Sequence, residues 1–172
     1  MMCAVANGTR PPDPSNLLQE CGLVCPRPPT FAWPPDLQFA LSALAALPVW
    51  LALGTTVGAR MAAPATWAGW LSLVLAQPVL EELVFRGVLQ GRLLRLTDGR
   101  RLGPVTLANL LATAGFVAMH LPAQPPVWAL AVAAPSLVFG HLRERSGSIV
   151  PAIAMHAFYN AGFGLTAVLA RS

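Results

Sequence analysis

Lysine is missing altogether, so all eleven basic residues are arginine. Charge of either sign is scarce: 10% of the 172 residues are charged against 55% hydrophobic, and mean hydropathy is +0.59. A soluble domain carries about one-quarter charged residues, so an ordinary soluble fold is excluded and a multispan membrane protein is expected. The net charge of +4 comes without any basic stripe interleaved with aromatics, which argues against a nucleic-acid partner. Glycine-rich phosphate loops, internal repeats and an HExxH motif are also missing. Cysteine is confined to the amino-terminal tail, at Cys3, Cys21 and Cys25. The C-x-x-x-C spacing of the last two has no second pair and no nearby histidine, so free thiols are expected rather than a zinc site. Met1 to Gly8 lacks a basic start and a long apolar stretch, so no cleavable signal peptide is expected.

What is present is a series of apolar runs behind a proline-rich tail. Residues 1–36 carry PPDP, CPRPP and WPP, a density of proline that opposes regular helix and predicts a disordered tail. Residues 37–172 form the membrane domain, an all-α polytopic helical bundle of about five spans. The first is Leu37 to Gly58, with Pro48 as a kink and Gly54 and Gly58 as a small-xxx-small contact face. A second begins near Pro64 or Ala65 and runs through Pro78 into Glu81 and Glu82, emerging near Arg92 and Arg95. The third covers Pro104 to His120 with proline in its first turn, the fourth Val127 to Leu142, and the fifth Ile149 to about Ala170. Arginines crowd the tail, the loop after the second span and the loop after the fourth. By the positive-inside rule the amino terminus is cytoplasmic and the carboxyl terminus outside.

Within PVLEELVFRG, residues 78 to 87, two glutamates and an arginine interrupt an apolar helix. A charge carried into hydrocarbon costs several kcal/mol unless paired or facing a cavity, so an intramembrane ionisable cluster reads as a functional site. At about 100° per residue Glu82 and Arg86 project within roughly 40° of each other, whereas Glu81 and Arg86 diverge by roughly 140°. Glu82 is expected to hold Arg86, and Glu81 to face a cavity as a free base. Three further polar groups follow: His120 in FVAMH, and His156 and Asn160 in HAFYN, four residues apart and so on one helix face. Histidine serves as acid or base near neutral pH, and an amide suits an oxyanion. His141 is expected to be structural, and Gln77, Asn109 and Tyr159 to be packing groups.

EELVFRG, FVAMH and HAFYN, in that order on successive apolar helices, resemble the EExxxR, FxxxH and HxxxN motifs of the CPBP intramembrane proteases, the Abi or CAAX-protease family. The resemblance spans roughly Trp67 to Leu169. It implies a hydrolase in which Glu81 and His120 activate water for attack on a peptide carbonyl while His156 and Asn160 stabilise the oxyanion, with Glu82 and Arg86 supporting. Five spans are fewer than many relatives have. No cofactor is expected; the alternative is a zinc peptidase using Glu81, His120 and His156. Another alternative is a non-enzymatic membrane immunity or assembly factor. The lysine-free, alanine- and proline-rich composition points to a bacterial inner-membrane protein. The expected partners are the lipid bilayer and a membrane-anchored protein or peptide, such as a sorting tail, a precursor peptide or a CAAX-like terminus.

The topology is directly testable. Reporter fusions after Gly99 and Gly147 should report cytoplasm, and fusions after Ala123 and Ser172 the outer side. An external signal at Gly99 would overturn the arrangement.

Overall fold

The computed structural model describes residues 17–27, 36–58 and 61–171. After a single turn, α1 (Leu17–Glu20), the helices are α2 (Leu37–Leu44), α3 (Ala46–Thr56), α4 (Trp67–Leu96), α5 (Leu107–His120), α6 (Pro126–Ala131), α7 (Ala133–Ser146) and α8 (Val150–Leu169). Each of the five expected spans corresponds to helix. The α2–α3 pair, α4 and α8 are long and apolar enough to cross a membrane; α5 has 14 residues, and the fourth span is divided between α6 and α7.

The helices expose many large apolar side chains and bury a set of polar ones beside an apolar centre. On α4, Leu80, Val84 and Val88 recur every four residues and are more than half exposed, whereas Glu82, Arg86 and Gln90 recur with the same spacing and are fully buried. Two stripes offset by two residues lie on opposite faces of one helix. The exposed leucines are at home in hydrocarbon, which leaves the polar stripe to be satisfied by neighbouring helices. Phe139 and Leu142 of α7 pack on Ala152 and Met155 of α8 to form the buried apolar centre. The glycine face of α3 receives α8, with Thr166 against Gly54 and Ala170 against Gly58.

Prolines set the irregularities. Pro48 and Pro135 each stand four residues after the last residue of a helical segment, Leu44 and Ala131, and the helix is interrupted at Ala45 and Val132. A proline ring crowds the carbonyl four residues back and supplies no N–H to it, which is the break observed twice. At Pro78 the chain instead stays helical by widening. Ser72–Ala76 forms a π turn in which the Gln77 N–H reaches back to the Ser72 carbonyl, and a second π turn covers Leu83–Leu89.

Two expectations about the loops are corrected. Pro104 is not in the first turn of α5; it lies in the turn of a small hairpin, β1 (Arg101–Leu102) paired with β2 (Val105–Thr106). Thr106 caps α5 instead, its Oγ1 accepting from the Asn109 N–H at 2.9 Å, because a hydroxyl there satisfies an otherwise orphan donor. In the tail, residues 17–27 are docked rather than detached. The Gly22 carbonyl accepts from Ile149 N–H at 3.0 Å, the Val24 carbonyl from Ser148 Oγ at 2.6 Å, and Arg27 N–H donates to the Ser146 carbonyl at 2.9 Å. Glu20 pairs with Arg92 and Arg95, and Arg143 donates to the Glu20 carbonyl. At Gly91 only the absence of a side chain admits that carbonyl against α4. Residues 1–16, Cys3 included, and 28–35 lie outside the described residues. Cys25 is disulfide-bonded, correcting the expectation of a free thiol there, while Cys21 is free.

Asp36 starts the first span. Its Oδ1 accepts from Gln38 and Phe39 N–H at 2.8 and 3.3 Å while Oδ2 pairs with Arg145. The Arg145 hydrogen bond holds the Asp36 carboxyl below its ordinary value of 3.8. A carboxyl lowered on folding contributes stability above its unfolded value and loses it as pH falls through the folded one. Asp36→Ala should therefore cost about 1 kcal/mol at neutral pH, and the difference from wild type should shrink in thermal melts well below pH 3.8, where the pairing with Arg145 loses its charge. An undiminished difference in acid would show that the carboxylate charge is not responsible.

Candidate active site

The polar stripe of α4 meets α5, α7 and α8 around the middle of the bundle. Glu82 and Arg86 are both fully buried, with Arg86 Nε 3.2 Å from Glu82 Oε2. Glu82 Oε1 accepts from His156 Nδ1 at 2.9 Å. That bond assigns the Nδ1 proton and turns the other ring nitrogen, Nε2, to face Glu81, whose Oε2 is 3.8 Å away. The Glu81 side chain is 21% exposed, against 0% for Glu82. The adjacent glutamates are thus separated as their spacing predicts. Glu82 is enclosed between a guanidinium and an imidazole, and Glu81 stands at the open edge.

Aromatic rings fix these groups in place. Phe139 stacks on His156 with centroids 4.7 Å apart and planes within 17°. The Arg86 guanidinium carbon lies 4.6 Å from the Phe116 ring centroid and 5.4 Å from that of Phe139. A cation over an aromatic face gains roughly 2 kcal/mol or more when desolvated, which offsets part of the cost of burying Arg86. Phe116 therefore touches the site directly. His120 sits over the same ring at 4.6 Å, and its Nδ1 donates to the Phe116 carbonyl at 2.8 Å. Its Nε2 is the nitrogen left for chemistry.

Asn160 is placed by the proline in α4. In the π register around Ser72–Ala76 the carbonyl of Leu73 would accept from residue 78, and Pro78 has no N–H to give. Asn160 Nδ2 donates to that carbonyl at 2.9 Å, so one amide N–H is committed to the helix and one is left over. Asn160 shares the α8 face of His156. His141 lies elsewhere and is exposed, its Nε2 donating to Gln38 Oε1. Asn109, Gln77 and Tyr159 make packing hydrogen bonds with the Leu137 carbonyl, Ser72 Oγ and the Ser42 carbonyl.

The sequence reading missed four participants: Ser136, Thr113, Gln90 and Phe139. Ser136 accepts from Arg86 Nη2 on both Oγ, at 2.7 Å, and its carbonyl, at 3.0 Å. Gln90 donates to the Gly140 carbonyl and to Glu144. The repeat of buried polar residues at 82, 86 and 90 announced that another helix must answer it; the answering positions 136, 140 and 144 form the same repeat on α7. Among the described residues no cluster of three His, Cys, Asp or Glu side chains is gathered as a metal site.

Residues 63–162 match the family described as Type II CAAX prenyl endopeptidase Rce1-like. The chain belongs to that family. Its members are proteases, and the match contains every residue of the three motifs. With helices fit to span a bilayer, the chain is an integral membrane protein of a CAAX-protease family. Comparison with curated proteins and with solved structures returned no match.

The buried pair yields a stability test. Removing one partner of a buried ion pair leaves an uncompensated charge and costs about 3–5 kcal/mol, whereas removing both is far milder. Glu82→Gln should lower the melting temperature in detergent, and Arg86→Gln added to it should recover part of the loss. If the double variant melts below the single one, the pair is not what holds these helices.

Proposed function

We propose that the chain is an intramembrane endopeptidase of the glutamate type. The observation that carries this reading is His156 held between two carboxylates, with Nδ1 on the enclosed Glu82 and Nε2 toward the accessible Glu81. Glu81 takes a proton from water, and the hydroxide formed attacks the substrate carbonyl carbon. The carbonyl π electrons move to oxygen, and the oxyanion is stabilised by His156 and by the uncommitted N–H of Asn160. Collapse expels the amine, which receives the proton from Glu81. His120 orients the attacking water through its free Nε2.

The substrate proposed is a membrane-anchored protein or peptide of a bacterial inner membrane: a sorting tail, a precursor or a CAAX-like terminus. The amino terminus is placed in the cytoplasm. Supporting this, residues 17–27, the end of α4 and the connector into α8 are bound together at one arginine-rich end of the bundle. Catalysis is proposed to need no metal.

Two measurements test the mechanism on purified protein in detergent, with a farnesylated CAAX peptide as probe. Glu81→Gln should lower kcat by about 10²–10⁴-fold, the range of a lost general base, without moving the melting temperature. Exhaustive chelation should leave wild-type turnover intact. Near-normal turnover of Glu81→Gln removes the proposed base, and activity lost on chelation but restored by one equivalent of zinc establishes the metallopeptidase alternative.

A further inference from the structure

The first motif stops at Arg86, but the hydrogen bonds that hold the site continue past it. Ser136, fully buried on α7, has its hydroxyl between two partners, accepting from Arg86 Nη2 at 2.7 Å and donating to Thr113 Oγ1 at 2.9 Å. Thr113 in turn donates to Asn109 Oδ1 at 3.4 Å, and Asn109 Nδ2 to the Leu137 carbonyl at 3.0 Å. The direction of every bond is therefore set from α5 inward. Nothing comparable acts on the other terminal nitrogen of Arg86: Nη1 is buried and has no hydrogen-bond partner among the described residues. The hydrogen bonds that orient the guanidinium are thus those to Ser136, while Glu82 holds it by charge, 3.2 Å from Nε.

We propose that Ser136 is a positioning residue for the reaction, acting on His156 through Arg86 and Glu82. The inference rests on the proposed endopeptidase reading. With Nη2 held by the Ser136 hydroxyl and carbonyl, Nε stays 3.2 Å from Glu82 Oε2 as an ion pair without a hydrogen bond, which leaves Oε1 for His156 Nδ1 and turns the Nε2 of that ring toward Glu81. Without the hydroxyl, Nη2 keeps only the carbonyl, Arg86 gains freedom to rotate over Phe116 and Phe139, and the carboxylate that orients His156 follows it. The consequence is misalignment of groups already present, which slows turnover rather than weakening substrate binding.

Ser136→Ala and Ser136→Thr, purified as full chains and matched for folded fraction by their melts, should separate this role from packing. With the farnesylated CAAX peptide, Ser136→Ala should lower kcat by about tenfold, well inside the cost of an ångström-scale misplacement, with KM within about twofold. Ser136→Thr, which restores a hydroxyl, should recover most of the loss. A second readout needs no substrate: carbethoxylation of His156, followed by mass spectrometry, should speed several-fold in Ser136→Ala and return toward wild type in Ser136→Thr. Unchanged kcat and unchanged labelling in Ser136→Ala overturn the proposal, as does a Ser136→Thr enzyme no better than Ser136→Ala. Full turnover by Glu81→Gln overturns the mechanistic reading instead, and the labelling rates still judge Ser136.

Discussion

A guanidinium and a carboxylate buried completely among apolar helices are the most expensive feature of this molecule, and the surrounding architecture can be derived from the need to satisfy them. Desolvating such a pair costs several kcal/mol per ion unless the remaining donors and acceptors find partners. Glu82 and Arg86 find part of this compensation on three other helices, in His156 on α8, Ser136 on α7 and the Phe116 ring on α5, while Arg86 Nη1 has no hydrogen-bond partner among the described residues. The ladder continues toward the arginine-rich end, where Gln90 meets Gly140 and Glu144, and Glu144 also accepts from Thr106. Since contact with lipid offers no hydrophobic gain over contact between helices, polar bonds of this kind and close packing of small residues specify which helices meet. Asn109 occupies the notch left by Gly140, and Ala112 and Ala152 are buried at neighbouring contacts.

The same cluster divides its two glutamates into different chemical circumstances. Glu82 has its charge neutralised by Arg86 and its geometry fixed by His156, which makes it a support. Glu81, one residue earlier, lacks a guanidinium and retains access. A rotation of about 100° along one helix is enough to turn two identical side chains into an anchor and a reactive group. The two π turns of α4 flank this pair, and the first makes the Leu73 carbonyl available to Asn160. Helix irregularity thus serves to draw α8 against α4 at the level of the site.

The docked segment 17–27 belongs to the same economy. Its carbonyls accept from Ile149 N–H, Ser148 Oγ and Arg143 Nη2, which ties the end of α7 and the start of α8 to the tail at that edge of the bundle. Val79 and Leu83, a turn or less from the glutamates, border an apolar groove with Leu23, Val24, Ile149 and Ile153. The tail therefore forms part of the wall on the side of α4 where the motif begins.

Composition and spacing determined a good deal by themselves. Scarce charge with long apolar runs dictated membrane helices, because backbone in hydrocarbon must satisfy itself. The ordered motifs marked Glu81, Glu82, Arg86, His120, His156 and Asn160, and helical geometry alone paired Glu82 with Arg86. Pro78 was legible within the second span, but not that Asn160 would bond the Leu73 carbonyl upstream of it. Tertiary structure alone decided that His156, rather than any residue near in sequence, bridges the two glutamates, and that Ser136 and Phe139 steady Arg86 and the imidazole. It also decided that the proline-rich tail contributes a docked segment and that α5 begins behind a hairpin. The physical reason is one of range. Periodicity encodes which face of a helix is polar, since that depends on neighbours three or four residues away. Which partner answers that face depends on how helices about fifty residues apart in the chain are packed, and a serine or phenylalanine in an apolar run carries no local sign of the charge it will meet.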